Sequence, residues 1–151
     1  LHATIADNAS QGLTLGSNDN THARTVTSTI LAGNGGDCNM SPTAAVSVQY
    51  SLDSDGSCAA FGGVGYLSAT DPQLLPLHHW GGFAPTMYPR PVVSPAIDSG
   101  SAAACYMVDQ RGVARGGDGN GNGVPGCDMG AVEVGDLLFF DGFEDGTTGA
   151  W

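Results

Sequence analysis

Lysine is absent from these 151 residues, and Arg24, Arg90, Arg111 and Arg115 are the whole basic complement against 15 carboxylates, for a net charge of -11. Binding a phosphate backbone needs a Lys/Arg patch that releases counterions, and four scattered arginines do not make one. Nucleic acid is therefore excluded as a partner, and anionic membrane surfaces are disfavoured for the same reason. No run of about 20 apolar residues occurs, so the sequence holds no transmembrane segment of the helical kind. Nor does any stretch sustain a 3.6-residue apolar period: Gly or Pro interrupts nearly every window of about a dozen residues, and helices are expected to be short or missing. The chain also lacks a CxxC pair, a Gly-x-Ser-x-Gly elbow, a His-Glu-x-x-His helix and a phosphate-binding loop. Zinc, nucleophilic and nucleotide chemistry thus have no support, and no catalytic or cofactor-binding residue is assigned.

What is present is turn-rich β structure. Gly accounts for 24 residues, and clusters of Val, Ile and Leu recur between turn residues. Thr4-Ile5-Ala6-Asp7-Asn8 returns as Thr29-Ile30-Leu31-Ala32-Gly33-Asn34, an offset of 25 to 26 residues, with the polar stretch Gly16-Ser17-Asn18-Asp19-Asn20 between the copies. That offset is the length of a solenoid rung, each rung burying its inward residues against its neighbours. Asn8 and Asn34 form the candidate ladder of stacked turn asparagines. A third rung is expected over 45–52, where Val46, Val48, Tyr50 and Leu52 alternate. The expected fold is all-β, a right-handed parallel β-helix. Because Leu1 to Asn8 already read as strand followed by turn, structure is expected upstream of Leu1.

The cysteines Cys38, Cys58, Cys105 and Cys127 fall into two pairs spaced by 20 and 22 residues. An even count in Gly/Ser/Asp-rich segments favours disulfides and an oxidising compartment over zinc. Cys38 with Cys58 would staple adjacent rungs, and Cys105 with Cys127 would close a glycine-rich loop. From Thr70 onward repetition gives way to Asp71-Pro72, Leu75-Pro76, Ala84-Pro85, Tyr88-Pro89-Arg90-Pro91 and Ser94-Pro95. Three regions follow: terminal rungs over 1–69, a Pro/Gly-rich cap over 70–135 ending in a last strand at Ala131-Val132-Glu133-Val134, and a tail over 136–151.

Several ordered motifs carry a resemblance: Ser28-Thr29-Ile30-Leu31-Ala32-Gly33-Asn34, Ser51-Leu52-Asp53-Ser54-Asp55-Gly56-Ser57-Cys58, Ser94-Pro95-Ala96-Ile97-Asp98-Ser99-Gly100, Asp109-Gln110-Arg111-Gly112 and Cys127-Asp128-Met129-Gly130-Ala131-Val132-Glu133. Together they resemble the C-terminal region of bacterial secreted β-helix proteins of the choice-of-anchor Q type, related to polymorphic outer-membrane protein repeats and pectate-lyase-like solenoids. The resemblance implies export to the cell surface and a structural or adhesive role rather than a reaction. His78-His79-Trp80 departs from it, standing where the pattern has an Asp-Asn-like pair. The ending Phe139-Phe140-Asp141-Gly142-Phe143-Glu144 through Trp151 resembles the short sorting or attachment tails of exported bacterial proteins. The competing expectations are a polysaccharide lyase or hydrolase with its active site upstream, and a calcium-dependent carbohydrate-binding module.

Two sites bear on those alternatives. Asp118-Gly119-Asn120-Gly121-Asn122-Gly123 matches the first half of an EF-hand-like loop, but Met129 occupies the twelfth position, where a bidentate carboxylate belongs. A looser calcium site would use Asp118, Asn120, Asn122 and Asp128; the reading preferred is a glycine-rich loop whose side chains satisfy local backbone. Asp53 and Asp55 read similarly as an acidic turn. Trp80 and Tyr88 could stack against the apolar face of a sugar, with cap packing as the plainer alternative. Arg111 is expected to pair with Asp98, Asp128 or Glu133 and so lock the cap.

Overall fold

The computed structural model describes residues 2–16, 22–41 and 43–135; the expected tail over 136–151 lies outside them. Seven short strands form: β1 (Thr4–Ala6), β2 (Gln11–Leu15), β3 (Arg24–Thr27), β4 (Ile30–Ala32), β5 (Gly36–Met40), β6 (Val46–Gln49) and β7 (Leu52–Asp53), followed by 3-10 turns at Ala59–Phe61 and Ala102–Ala104. All named strand pairs are parallel. They make a three-stranded sheet β1-β4-β7 and two-stranded sheets β2-β5 and β3-β6. Thr4 lies opposite Ile30, Ile30 opposite Leu52, Leu13 opposite Cys38 and Arg24 opposite Val46, so the chain returns to register every 22 to 26 residues.

The corners are built from left-handed residues one position past the paired strands. Ser28 and Tyr50 have φ of 52° and 45°, and Asp7 and Gly33 have 56° and 66°. At Gly33 a Cβ would meet the Asp7 carboxylate at 2.5 Å, so both φ and space select glycine there. The corner at Tyr50 splits the expected strand over 45–52 into β6 and β7. Asn8 and Asn34 meet one position beyond the other corner: the Asn8 side chain donates to Asn34 Oδ1 at 2.8 Å, and Asn34 Nδ2 donates to the Ile5 carbonyl at 2.9 Å.

The right-handed parallel β-helix expected from the repeat is overturned. The sheets hold three, two and two strands, and none closes or continues as a solenoid. Past Asp53 the parallel pairing shrinks to isolated bridges, Val48 with Gly62 and Leu52 with Leu67, and the later bridges, Leu74 with Pro89, His78 with Thr86 and Val108 with Ala114, are antiparallel. The cause is compositional: beyond β7, Gly62 stands opposite Val48, with Gly63 and Gly65 close behind it, and glycine contributes neither packing nor stiffness to a strand.

Instead, the Pro/Gly-rich segment folds back over the sheet. Ile30 and Leu31 are both fully buried, on opposite faces of the central strand β4. Ile30 packs with Ala32, Leu52, Ala96 and Met129, whereas Leu31 packs with Cys38 and Cys58. Burying side chains such as Ile30, Leu52 and Met129 contributes roughly 1.5–3 kcal/mol each. Backbone bonds seal the return: Gly130 N–H donates to the Ser28 carbonyl at 2.8 Å, and Ser101 N–H to the Ser28 hydroxyl at 2.9 Å. Both expected disulfides form, Cys38–Cys58 and Cys105–Cys127, with Cα separations of 5.1 and 5.9 Å. They point to an oxidising, extracellular environment. Among the described residues, no helix is long and apolar enough to cross a membrane.

Candidate functional site

The expected last strand, Ala131 to Val134, does not form. Val132, Glu133 and Val134 are buried, but the segment's N–H groups find side-chain acceptors: Ala131 N–H donates to the Thr4 hydroxyl at 3.1 Å, and those of Glu133 and Val134 go to carboxylates. Glu133 N–H donates to Asp109 Oδ2 at 2.9 Å, and Val134 N–H to Asp128 Oδ2 at 2.6 Å. Asp128 Oδ1 accepts the Asp98 N–H at 2.8 Å. Glu133 Oε1 accepts from Gly116 N–H at 2.7 Å, and its Oε2 from Asp128 N–H at 3.0 Å. Asp109 Oδ1 accepts from the N–H groups of Arg111 and Val113. Buried acids thus take the role that a sheet partner would play for these donors.

Two arginines balance part of this charge. Arg115 reaches Glu133 Oε2 at 3.1 Å with both side chains almost wholly buried, and also donates to the Gly130 carbonyl at 2.9 Å. Arg111 does not pair with the carboxylate of Asp98, Asp128 or Glu133, as expected from the sequence. It pairs with Asp109 at 2.8 Å and donates to the backbone carbonyls of Glu133 and Trp80 at 2.6 and 2.9 Å. The lock on the cap is therefore formed through Asp109 and backbone oxygens, and Arg115, which sequence reasoning did not single out, is the residue that holds Glu133.

Asp118, Asn120 and Asn122 come together in one loop, held by its own N–H groups: Asn122 N–H donates to Asp118 Oδ1 and Asn120 Oδ1 at 3.1 and 3.0 Å, Gly123 N–H to Asp118 Oδ2 at 2.7 Å, and Val124 N–H to Asn122 Oδ1 at 2.7 Å. Asp128 is not brought into this loop; both of its oxygens are engaged in the cap. The carboxylate against the loop is Asp98, which accepts from the N–H groups of Gly119 and Asn120 at 3.2 and 3.1 Å. A second acidic group, Asp37, Asp53 and Asp55, gathers oxygens within 4.8 Å of one another. These too serve the backbone and its turns. Asp37 accepts from Ser54 N–H and hydroxyl, Asp53 from Cys58 N–H and the Tyr66 hydroxyl, and Asp55 from Asp37 N–H and from Ser57.

Trp80 and Tyr88 are brought together, their ring centroids 5.6 Å apart and tilted by 39°. His78 meets Trp80 edge-on at 5.3 Å, and the Arg111 guanidinium lies 5.0 Å from the Tyr88 centroid. Both rings are half-buried. They form one aromatic cluster fixed from beneath by the Arg111–Asp109 pair. Gly82 permits this approach, since a Cβ there would sit 3.0 Å from the Arg111 Cα at a φ of 78°.

No protein-family model, curated protein or solved structure matches this chain.

The electrostatics of the cap give a pH prediction. Burial and the Glu133 charge push Asp128 up to about 8, even though the Val134 and Asp98 N–H groups pull the other way. Burial also raises Glu133 and Asp98. Against the penalty of burial, the Glu133 N–H and Arg111 hold Asp109 below the ordinary carboxylate range, and Ser57 does the same for Asp55. A carboxyl raised on folding binds its proton more tightly in the folded chain than in the unfolded one, so stability falls as pH climbs from the unfolded value near 4 towards 8. The lowered acids act in the opposite sense, but only below about pH 4, where their contribution is lost. The thermal midpoint is therefore expected to be higher at about pH 5 than at about pH 8, and Asp128→Asn to flatten that decline. Equal midpoints in the unmodified chain would mean that Asp128 is already ionised in the folded state.

Proposed function

We propose that the chain is a non-catalytic exported module with a structural or adhesive role, displayed at a bacterial cell surface, as its resemblance to choice-of-anchor Q proteins implies. The observation that carries this reading is the use made of the buried acids. Asp37, Asp53, Asp109, Asp128 and Glu133 each accept at least two hydrogen bonds, mostly from backbone N–H groups. A general acid or base needs an oxygen within reach of a substrate proton, and these oxygens are spent on holding the fold. Two disulfides suit a module that must persist outside the cell without a large core.

The test is a panel of acidic and neutral polysaccharides, with product release and retention measured on the same samples. The chain is expected to be retained on at least one immobilised polysaccharide while releasing no new reducing ends and no unsaturated products. Product release by this chain overturns the reading.

A further inference from the structure

Asn-Gly occurs three times in the chain, at Asn34-Gly35, Asn120-Gly121 and Asn122-Gly123. Glycine has no side chain to shield its amide nitrogen from the Cγ of the residue before it, so this dipeptide is prone to losing the asparagine amide. The glycine nitrogen attacks Cγ and gives up its proton to solvent, while the side-chain nitrogen takes up a proton and leaves as ammonia. A five-membered succinimide closes, and water opens it at either carbonyl to leave aspartate or isoaspartate. One water is consumed and one ammonia released. An N–H that already donates a hydrogen bond must break that bond before its nitrogen can attack, and breaking it is costly. The fold therefore ranks three sites that look equivalent in sequence.

Asn34-Gly35 is pinned at both ends. Gly35 N–H donates to the carbonyls of Asn8 and Ser10 at 3.0 and 2.7 Å, and Asn34 Nδ2 donates to Asp37 Oδ1 and the Ile5 carbonyl at 2.8 and 2.9 Å. Asn122-Gly123 is exposed, but Gly123 N–H donates to Asp118 Oδ2 at 2.7 Å. Asn120-Gly121 has neither restraint. Gly121 is exposed, and among the described residues neither its N–H nor Asn120 Nδ2 donates to any acceptor. Asn120 Oδ1 instead accepts the Asn122 N–H at 3.0 Å. That Asx turn bends the side-chain carbonyl back over the Gly121 peptide. It also sets a donor on the oxygen where negative charge builds as Cγ is attacked, as an oxyanion hole does.

We infer that Asn120 is a site of spontaneous self-modification, selected by the fold over Asn34 and Asn122. The product sets a new carboxylate among others: Asp98 already accepts the Asn120 N–H at 3.1 Å, and Asp118 shares the Asn122 N–H with Asn120 at 3.1 Å. Like charges so placed repel, and isoaspartate also adds a backbone atom to the turn. Because the ammonia is lost, conversion accumulates with the age of the chain and adds to its net charge of -11.

The experiment incubates the full folded chain at mildly alkaline pH below its thermal midpoint and follows aspartate and isoaspartate at each position by peptide mapping, beside a reduced sample unfolded in urea. Asn120 is expected to convert several-fold faster than Asn34 or Asn122 in the folded chain, and the three to converge in the unfolded one. Asp118→Ala, which removes the acceptor holding Gly123 N–H, is expected to narrow the gap between Asn122 and Asn120. Conversion of Asn34 or Asn122 as fast as Asn120 in the folded chain overturns the assignment. So does an Asn120 that survives folded incubation while all three positions convert in urea.

Discussion

Arg115→Ala is expected to destabilise the chain by about 3–5 kcal/mol, the range found when one partner of a buried ion pair is removed. The side chain is 2% exposed and that of Glu133 is fully buried, so the deletion strands a carboxylate away from water. It also leaves the Gly130 carbonyl without the guanidinium donor. Against a total stability of roughly 5–15 kcal/mol for a domain, that is a large share. Denaturant midpoints at neutral pH measure it. The loss should shrink under mildly acidic conditions, where Glu133, whose proton affinity is raised by burial, takes up a proton and no longer needs a cation. Adding Glu133→Gln to Arg115→Ala should recover part of the loss for the same reason. A change below about 1 kcal/mol would show that the pair is solvated and that the cap does not depend on it.

The second large effect is expected from the disulfides. Replacing Cys38 and Cys58 by Ala opens a loop of 20 residues, and chain-entropy reasoning sets the loss at about 3 kcal/mol. The equivalent change at Cys105 and Cys127 opens a loop of 22 residues, so entropy alone predicts nearly equal effects. Packing separates them. Cys38 and Cys58 are in contact with fully buried Leu31 and close one of the two core clusters, and their truncation leaves a void there. Cys105 is only half-buried. The first pair is therefore expected to cost more than the second in equilibrium unfolding. The reverse order would mean that the cap, not the strand stack, dominates the stability.

Some of this was legible in the sequence. An even set of cysteines one chain pass apart can be paired without coordinates, because adjacent passes bring such positions together. The repeat Thr4-Ile5-Ala6 and Ile30-Leu31-Ala32 likewise gives the β1-β4 pairing and the contact of Asn8 with Asn34. The repeat did not reveal where pairing stops. The third rung expected over 45–52 does pair, β6 with β3 and β7 with β4; extending the repeat to a β-helix assumed that this pairing continues past β7, where only isolated bridges form. The corner at Tyr50 was hidden as well, since alternation of Val46, Val48, Tyr50 and Leu52 reads as one strand. Only the stacked corner at Ser28 forces a bulky residue to φ of 45°.

The polar site shows the same division. The glycine-rich loop at 118–123 bonds to itself, as its Asp/Asn/Gly spacing leads one to expect of Asx turns. The cap did not yield to that reasoning, because many of its pairings join distant residues, such as Arg115 with the Asp128 carbonyl, 13 positions apart, and Arg111 with the Trp80 carbonyl, 31 apart. Composition had fixed the number of arginines and acids, not which of them meet.

Sequence alone therefore determined the cysteine pairs, the first two strand passes, the net negative charge and the self-bonded loop, all of which depend on local residue type or a simple offset. The tertiary structure decided that the Pro/Gly-rich segment returns over β4, that buried carboxylates replace a last strand, and that Arg115 rather than Arg111 holds Glu133. Those outcomes depend on which groups burial forces to find a partner, and burial is a property of the packed chain as a whole.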